Sequence, residues 1–478
     1  MREDTQFFID GKWVDADADA KRLAVINPAT GEEAGSVRQA GEADVNRAIE
    51  AARRAFRGFS RTLLHERLEL LDEICVEYEK RMGDLADAIT EEMGAPHKKV
   101  AVAQQVPIGI AHLKTARRIA ADFPFEEHLG RTLIVKEPVG VCALITPWNW
   151  PLNQITCKVA PALVTGCTMV LKPSELAPFS ARIFAEILEH SGVPAGVFNM
   201  VHGDGAIVGP WMSSHPQVDM VSLTGSARAG ASVSKNAADS IKVVSLELGG
   251  KSANVILPGA DLKRAVAHGV VAMMNNTGQS CNAPSRMLVP AERIDEVEAI
   301  AVAALERVTV GDPRDEATTV GPIANARQYE RVQTLIQKGI DEGAKLLAGG
   351  TGRPEGIERG YFARPTIFSR ANNRMTIAQE EIFGPVLTII PYRDVDEAID
   401  IANDTTYGLS GYVYGETLDQ AREVARQLRT GMVHLNGAPG DPSAPFGGYK
   451  QSGVGREWGE YGIEEFLETK AIMGSQSA

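Results

Sequence analysis

The chain has 478 residues, 44% hydrophobic and 23% charged, with 49 Lys and Arg against 62 Asp and Glu for a formal net charge of -13. That length exceeds what one hydrophobic core usually serves, so roughly two to four domains or subdomains are expected. The acidic balance without a clustered basic face argues against a nucleic-acid partner, and five scattered cysteines without a CxxC pattern argue against a disulfide framework or a metal centre.

The N-terminal residues Met1 to Phe8 are charged and hold no apolar core segment, so no secretory signal is expected. The most apolar stretch, Val159 to Leu171, is interrupted by Pro161 and Gly166 and is too short to span a bilayer. Reduced cysteines and the absence of these signals point to a cytoplasmic protein with no membrane partner. Residues 7 to 40 carry turn clusters between short apolar runs, the pattern of hairpin strands. A first long helix is predicted from Glu42 and a second from Leu64 to Tyr78, both on apolar spacing that repeats every three or four residues. Cys75 falls on the second stripe and reads as core.

From Val139 the texture changes to strand-length apolar runs alternating with helical segments. The runs are Val139 to Thr146, Thr168 to Leu171, Val197 to Val201, Val218 to Leu223 and Ile241 to Leu246. Such alternation predicts a parallel sheet covered by helices, with ligand sites at the carboxyl ends of its strands. Cys142, Cys157 and Cys167 lie in this apolar material and read as structural. A second α/β series follows from Ala253, which places a domain boundary near Gly249-Gly250. The tail, Phe466 to Ile472, reads as a strand whose partner edge belongs either to this chain or to another subunit.

Several segments are too oddly composed to be scaffold alone. Cys281 stands in Gly278-Gln279-Ser280-Cys281-Asn282, a polar setting poor in bulky apolar side chains. Two readings stand there: a nucleophilic thiol, or a small buried hydrophobe. Asn149 in Pro147-Trp148-Asn149-Trp150-Pro151 follows a strand directly, and serves either as a donor to a developing oxyanion or as a helix cap. Glu247 ends a strand in Glu247-Leu248-Gly249-Gly250-Lys251, either as a general base or as a surface carboxylate. Thr224-Gly225-Ser226 opens a helix whose first amides suit a phosphate, although neither it nor Gly203-Asp204-Gly205 has the Gly-x-Gly-x-x-Gly spacing. Lys172 and Glu175 end another strand, where a lysine and a carboxylate suit ribose hydroxyls.

Taken in order, these segments, with Glu381-Ile382-Phe383-Gly384-Pro385 and Pro445-Phe446-Gly447-Gly448-Tyr449-Lys450, strongly resemble the NAD(P)-dependent aldehyde dehydrogenase superfamily. The resemblance runs from Phe8-Ile9-Asp10-Gly11 to Lys470. It implies an α/β fold with a Rossmann-like cofactor domain, an α/β catalytic domain and a small β oligomerisation element. The implied boundaries are 1–120 and 139–247 for the cofactor domain, 248–448 for the catalytic domain, and 121–138 with 449–478 for the oligomerisation element and tail.

By the same resemblance Cys281 is the nucleophile, Glu247 the general base and Asn149 the oxyanion donor. Cofactor contacts are implied at Thr146, Trp148, Lys172, Glu175, Gly205, Gly225, Ser226, Gln328, Glu381 and Phe383. The implied activity is oxidation of an aldehyde to the acid with NAD, through a thiohemiacetal and a thioester on Cys281. NADP remains open, because Lys172 and Ser174 tolerate a 2′-phosphate if Glu175 swings away. Trp150, Cys157, Asn282 and Phe446 are expected at the substrate, and suit an apolar, aromatic or longer-chain aldehyde. No arginine there offers a carboxylate clamp, which disfavours succinic semialdehyde. Two alternatives stand beside this reading: acyl transfer to coenzyme A, which Glu247 disfavours, and a non-catalytic binding protein of the same fold. A homodimer or homotetramer is implied.

Overall fold

The computed structural model describes residues 2–475. Its first body is built on five parallel strands, Val141–Ile145, Thr168–Lys172, Phe198–Met200, Met220–Thr224 and Val243–Glu247. All but the start of the last are buried along their whole length, because helices cover both faces, and this is why they read as unbroken apolar runs. The antiparallel hairpin Gln6–Ile9 and Lys12–Asp15 extends one edge, and Gly453–Val454 closes the other against Val243–Glu247. Within this sheet Val141–Ile145 lies between Thr168–Lys172 and Met220–Thr224. The chain winds away from it in both directions, which opens a crevice beyond the carboxyl ends of Val141–Ile145 and Met220–Thr224.

The second body is a seven-stranded sheet in the order Lys345–Ala348, Thr366–Ser369, Val386–Tyr392, Arg286–Pro290, Ala253–Ile256, Ser410–Tyr414 and Met432–Leu435, parallel except at Lys345–Ala348. At its centre Arg286 is 1% exposed. Its guanidinium donates to the carbonyls of Lys251, Ile401 and Ala402 and to Asn373 Oδ1, at 2.8–3.0 Å. The loop after Gly250 is thereby tied to the last turn of the helix Val395–Asn403 and to the loop after Thr366–Ser369. Arg286→Met is expected to lower unfolding free energy by about 3–5 kcal/mol, since it strands several buried acceptors; urea denaturation measures this, and a loss near zero would refute the role.

A third sheet joins Glu126–Leu129, Thr132–Pro138 and Leu467–Ile472. The C-terminal strand therefore finds its partner edge in its own chain. The segment before it departs from the expected tail. Gly453–Val454 belongs to the first sheet, and the helix Gly459–Glu464 packs on the helices Val106–Asp122 and Pro151–Thr165.

The helices Glu42–Phe59 and Leu64–Lys80 form where the apolar spacing places them. Three further helical segments follow: Met82–Met93, the wide π-helical turns His97–Gln105, and Val106–Asp122, which continues directly from those turns with Pro107 as its second residue. Among the described residues no helix is long and apolar enough to cross a membrane.

Candidate active site

The crevice at the switch point is a cleft of about 1350 Å³ that draws residues from both bodies. Its walls include Trp148 and Asn149 after one strand, Gly225 and Ser226 after the next, and Cys281, Gln328, Glu381 and Phe383 from the second body. Eight of the predicted site residues thus meet in one cavity. Thr146, Lys172, Glu175, Gly205, Glu247, Trp150, Cys157, Asn282 and Phe446 do not line it.

The loop that carries Cys281 is held in an uncommon backbone conformation. Asn276 and Thr277 have φ of 49° and 58°, in the left-handed region, and Gly278 follows at 68°. A Cβ on Gly278 would lie 2.2 Å from the Gly384 carbonyl oxygen, so only glycine allows this loop to touch the segment after Glu381. Asn149 is buried, and its Nδ2 donates to the Gln279 carbonyl at 3.0 Å. The Asn149 carbonyl accepts in turn from Asn276 Nδ2 at 2.9 Å and from Gln105 Nε2 at 3.2 Å. Trp150 Nε1 donates to Ser280 Oγ at 2.8 Å. Asn149 and Cys281 are therefore fixed relative to each other by bonds on both sides. Gln105, which ends the π-helical turns, is part of this clamp, a placement in keeping with such turns at functional sites.

Cys281 is partly exposed, unlike the other four cysteines. Burial of its sulfur raises its pKa, and the nearby Glu381 and Glu247 carboxylates raise it further. The main-chain N–H groups of Asn282 and of Cys281 itself act the other way and favour the thiolate.

Glu247 is 1% exposed, and neither of its carboxylate oxygens has a hydrogen-bond partner. A Cβ on Gly447, where φ is 148°, would lie 2.5 Å from Glu247 Oε1, so the carboxylate rests on bare backbone. Burial raises its pKa well above the usual range, the Glu457 charge adds to this, and Lys158 and Arg456 oppose it. The surface-carboxylate reading is excluded. Lys158, itself fully buried, pairs with Glu457 and donates to Ser222 Oγ at 2.9 Å.

Cys157, expected at the substrate, is buried with its Sγ 3.4 Å from Glu457 Oε2. Phe446 is likewise buried, stacked on Trp458 with ring centroids 4.4 Å apart.

On the other side of the cleft, Ser226 caps the helix Ala227–Ala238, its side chain accepting from the Ala229 N–H. Glu381 Oε1 accepts from the Gly250 N–H at 2.9 Å, and burial pushes its carboxyl up to about 7. Gln328 Nε2 donates to the carbonyls of Ile382 and Phe383, so its amide braces the loop after Glu381. Phe383, with φ of 57°, stands edge-on to Trp148 at 5.5 Å. The Lys172 ammonium donates to the carbonyls of Pro173 and Gly203 at 2.9 and 2.8 Å and lies 3.4 Å from the Glu175 carboxylate, so the two predicted ribose residues stand side by side.

Sequence reasoning did not single out Gln105, Lys158 or Glu457. Each is an ordinary residue in its local pattern and acquires its role from a partner far along the chain.

The aldehyde dehydrogenase family model matches residues 13–472. A 3-succinoylsemialdehyde-pyridine dehydrogenase of a Pseudomonas species is 59% identical over the whole of both chains. Among solved structures, a cysteine-to-alanine variant of aldehyde dehydrogenase C from Pseudomonas syringae, complexed with NAD+ and octanal, is 52% identical with a TM-score of 0.98 over 99% of this chain and 97% of that one. The Mycobacterium tuberculosis aldehyde dehydrogenase complexed with NAD+ is 39% identical with a TM-score of 0.96 over 98% of each chain. A family match across nearly the full length, on a fold that gathers Cys281 and Asn149 into one cleft, makes this chain a member of the aldehyde dehydrogenase family.

Proposed function

We propose that the chain oxidises an aldehyde to the carboxylic acid with NAD, through a thioester on Cys281 that water hydrolyses. The observation that carries the reading is the meeting of Cys281 and Asn149 in the wall of one large cleft, with the unpartnered Glu247 carboxylate close enough for its charge to act on the thiol. The cleft suits a dinucleotide. The Thr224 hydroxyl in its wall is buried without a partner, and the helix after Ser226 presents its N-terminus. A Cβ on Gly249 would lie 2.3 Å from Glu381 Oε2, so that carboxylate lies flat against the backbone at the cleft wall.

When bound, NAD supplies the hydride acceptor. The residues of the chain do the rest. The partly exposed Cys281 gives its thiol proton to solvent and attacks the aldehyde carbon as the thiolate, and the oxyanion that forms is received by Asn149 Nδ2 and the Cys281 N–H. Glu247 then takes a proton from the water that attacks the thioester, returning Cys281 and releasing the acid. A buried carboxylate with no hydrogen-bond partner is a stronger base than an exposed one, which suits it to this step.

Glu247 must be ionised to act, so kcat is expected to rise with pH through its raised pKa. Replacing Glu457 with glutamine removes the adjacent negative charge, which favours the Glu247 carboxylate. The acid limb of the kcat profile should then move down by about one pH unit, and an unmoved limb would count against Glu247 as the base.

Glu175 remains 33% exposed at its side chain, with its carboxylate beside Lys172. Its charge favours NAD over NADP, since a carboxylate there repels a 2′-phosphate; titration with both cofactors reads this preference directly. An aldehyde whose other end is apolar, aromatic or a longer chain is supported by the octanal complex of the Pseudomonas syringae relative. Mixing protein, NAD and octanal is expected to form NADH without coenzyme A. Strict dependence on coenzyme A, or a panel in which short charged aldehydes give the highest kcat/KM, would contradict the reading. Assembly into dimers or tetramers is proposed through the edges of the small sheet, where Leu129 and Met473 are largely exposed.

A further inference from the structure

Two groups outside the proposed chemistry hold the residue after the nucleophile. Gly250 packs against the Cys281 carbonyl so closely that an added Cβ would lie 2.3 Å from its oxygen. From another direction, the Tyr412 hydroxyl donates to the Asn282 carbonyl at 2.8 Å. Both peptide planes of Asn282 are therefore pinned. The N–H of Asn282 is one of the two main-chain donors that favour the Cys281 thiolate, so its direction bears on the thiol.

Tyr412 is itself firmly placed. It lies on Ser410–Tyr414, opposite Asn254 on one neighbouring strand and His434 on the other. The His434 ring stacks on it, with centroids 4.8 Å apart and planes within 12°. His434 Nδ1 stands 3.0 Å from the Ala438 carbonyl, and the tautomer with its proton on Nδ1 satisfies that acceptor. His434 is thus tied to the loop beyond Gly437, and Tyr412 to His434. Burial raises the pKa of the Tyr412 hydroxyl, so it remains a donor throughout the working pH range.

We propose that Tyr412 is a positioning residue for the reaction: its hydroxyl, held by the stack on His434, fixes the Asn282 carbonyl and with it the main chain that follows the nucleophile. This rests on the reading of Cys281 as the nucleophile. Tyr412→Phe removes the hydroxyl and keeps the ring stack. In the full-length protein, alkylation of Cys281 by iodoacetamide, located by peptide mass and followed against pH, is expected to slow by about tenfold near neutrality, with its profile displaced to higher pH. With octanal and NAD, kcat should fall by about tenfold while KM for octanal stays within about twofold. His434→Leu keeps the hydroxyl but removes the stack, and should move the alkylation profile in the same direction by a smaller amount; it decides the matter if Tyr412→Phe does not fold. Alkylation and kcat of folded Tyr412→Phe that match the wild type would overturn the proposal, as would a loss of thermal stability with an unmoved alkylation profile. Full turnover by Cys281→Ala would instead overturn the nucleophile reading on which the proposal rests.

Discussion

Cys281→Ala is expected to lower the rate of aldehyde-dependent NADH formation by roughly four to six orders of magnitude, with unfolding free energy little changed. The size follows from the part assigned to the thiol. Without it no carbon–sulfur bond forms, so the oxyanion donors have no tetrahedral adduct to stabilise. Asn149 Nδ2 would still meet Gln279, and the loop would still be clamped by Gln105 and Asn276. The variant should therefore fold and bind NAD as the wild type does, which fluorescence titration with the dinucleotide checks. A residual rate within about tenfold of wild type would place the nucleophile elsewhere, and among the described residues the other four cysteines are buried.

Glu247→Gln is expected to lower kcat by roughly two to four orders of magnitude while leaving the first turnover nearly intact. The two effects separate because Glu247 is assigned to thioester hydrolysis, which follows hydride transfer. Rapid mixing should then show a burst of NADH close to one per active site, followed by a much slower steady rate. The isosteric amide also suits the site sterically, since Gly447 leaves no Cβ against the carboxylate and neither oxygen is used in a hydrogen bond. A burst lost in proportion to kcat would show that Glu247 acts before hydride transfer.

Much of the fold was legible for a physical reason. Strands such as Thr168–Lys172 and Met220–Thr224 are buried on both faces, so they read as continuous apolar runs, and the motifs directly after them fall where a parallel sheet keeps its ligands. The nucleophile was not legible from its own loop, where a reactive thiol and a small buried hydrophobe both fitted; the order of the surrounding motifs, read as a family resemblance, singled out Cys281. The helices from Met82 to Asp122 were less legible than the strands, since the π-helical turns at His97–Gln105 break the 3.6-residue period on which helix reading depends.

The supporting polar groups left no local trace. Lys158 and Glu457 are 299 residues apart, and a buried ion pair between such positions has no spacing signature. Cys157 and Phe446 were placed near the substrate by sequence position, but the side-chain packing of Cys157 on Glu457 and of Phe446 on Trp458 is set by residues after 450.

The most direct test of the thioester account is the mass of Glu247→Gln quenched in acid shortly after mixing with NAD and octanal. One octanoyl group per chain on the peptide that carries Cys281, formed as fast as the NADH burst and decaying at the slow steady rate, is the predicted result. A full burst with no acyl group on Cys281, or with the group on another residue, would contradict it.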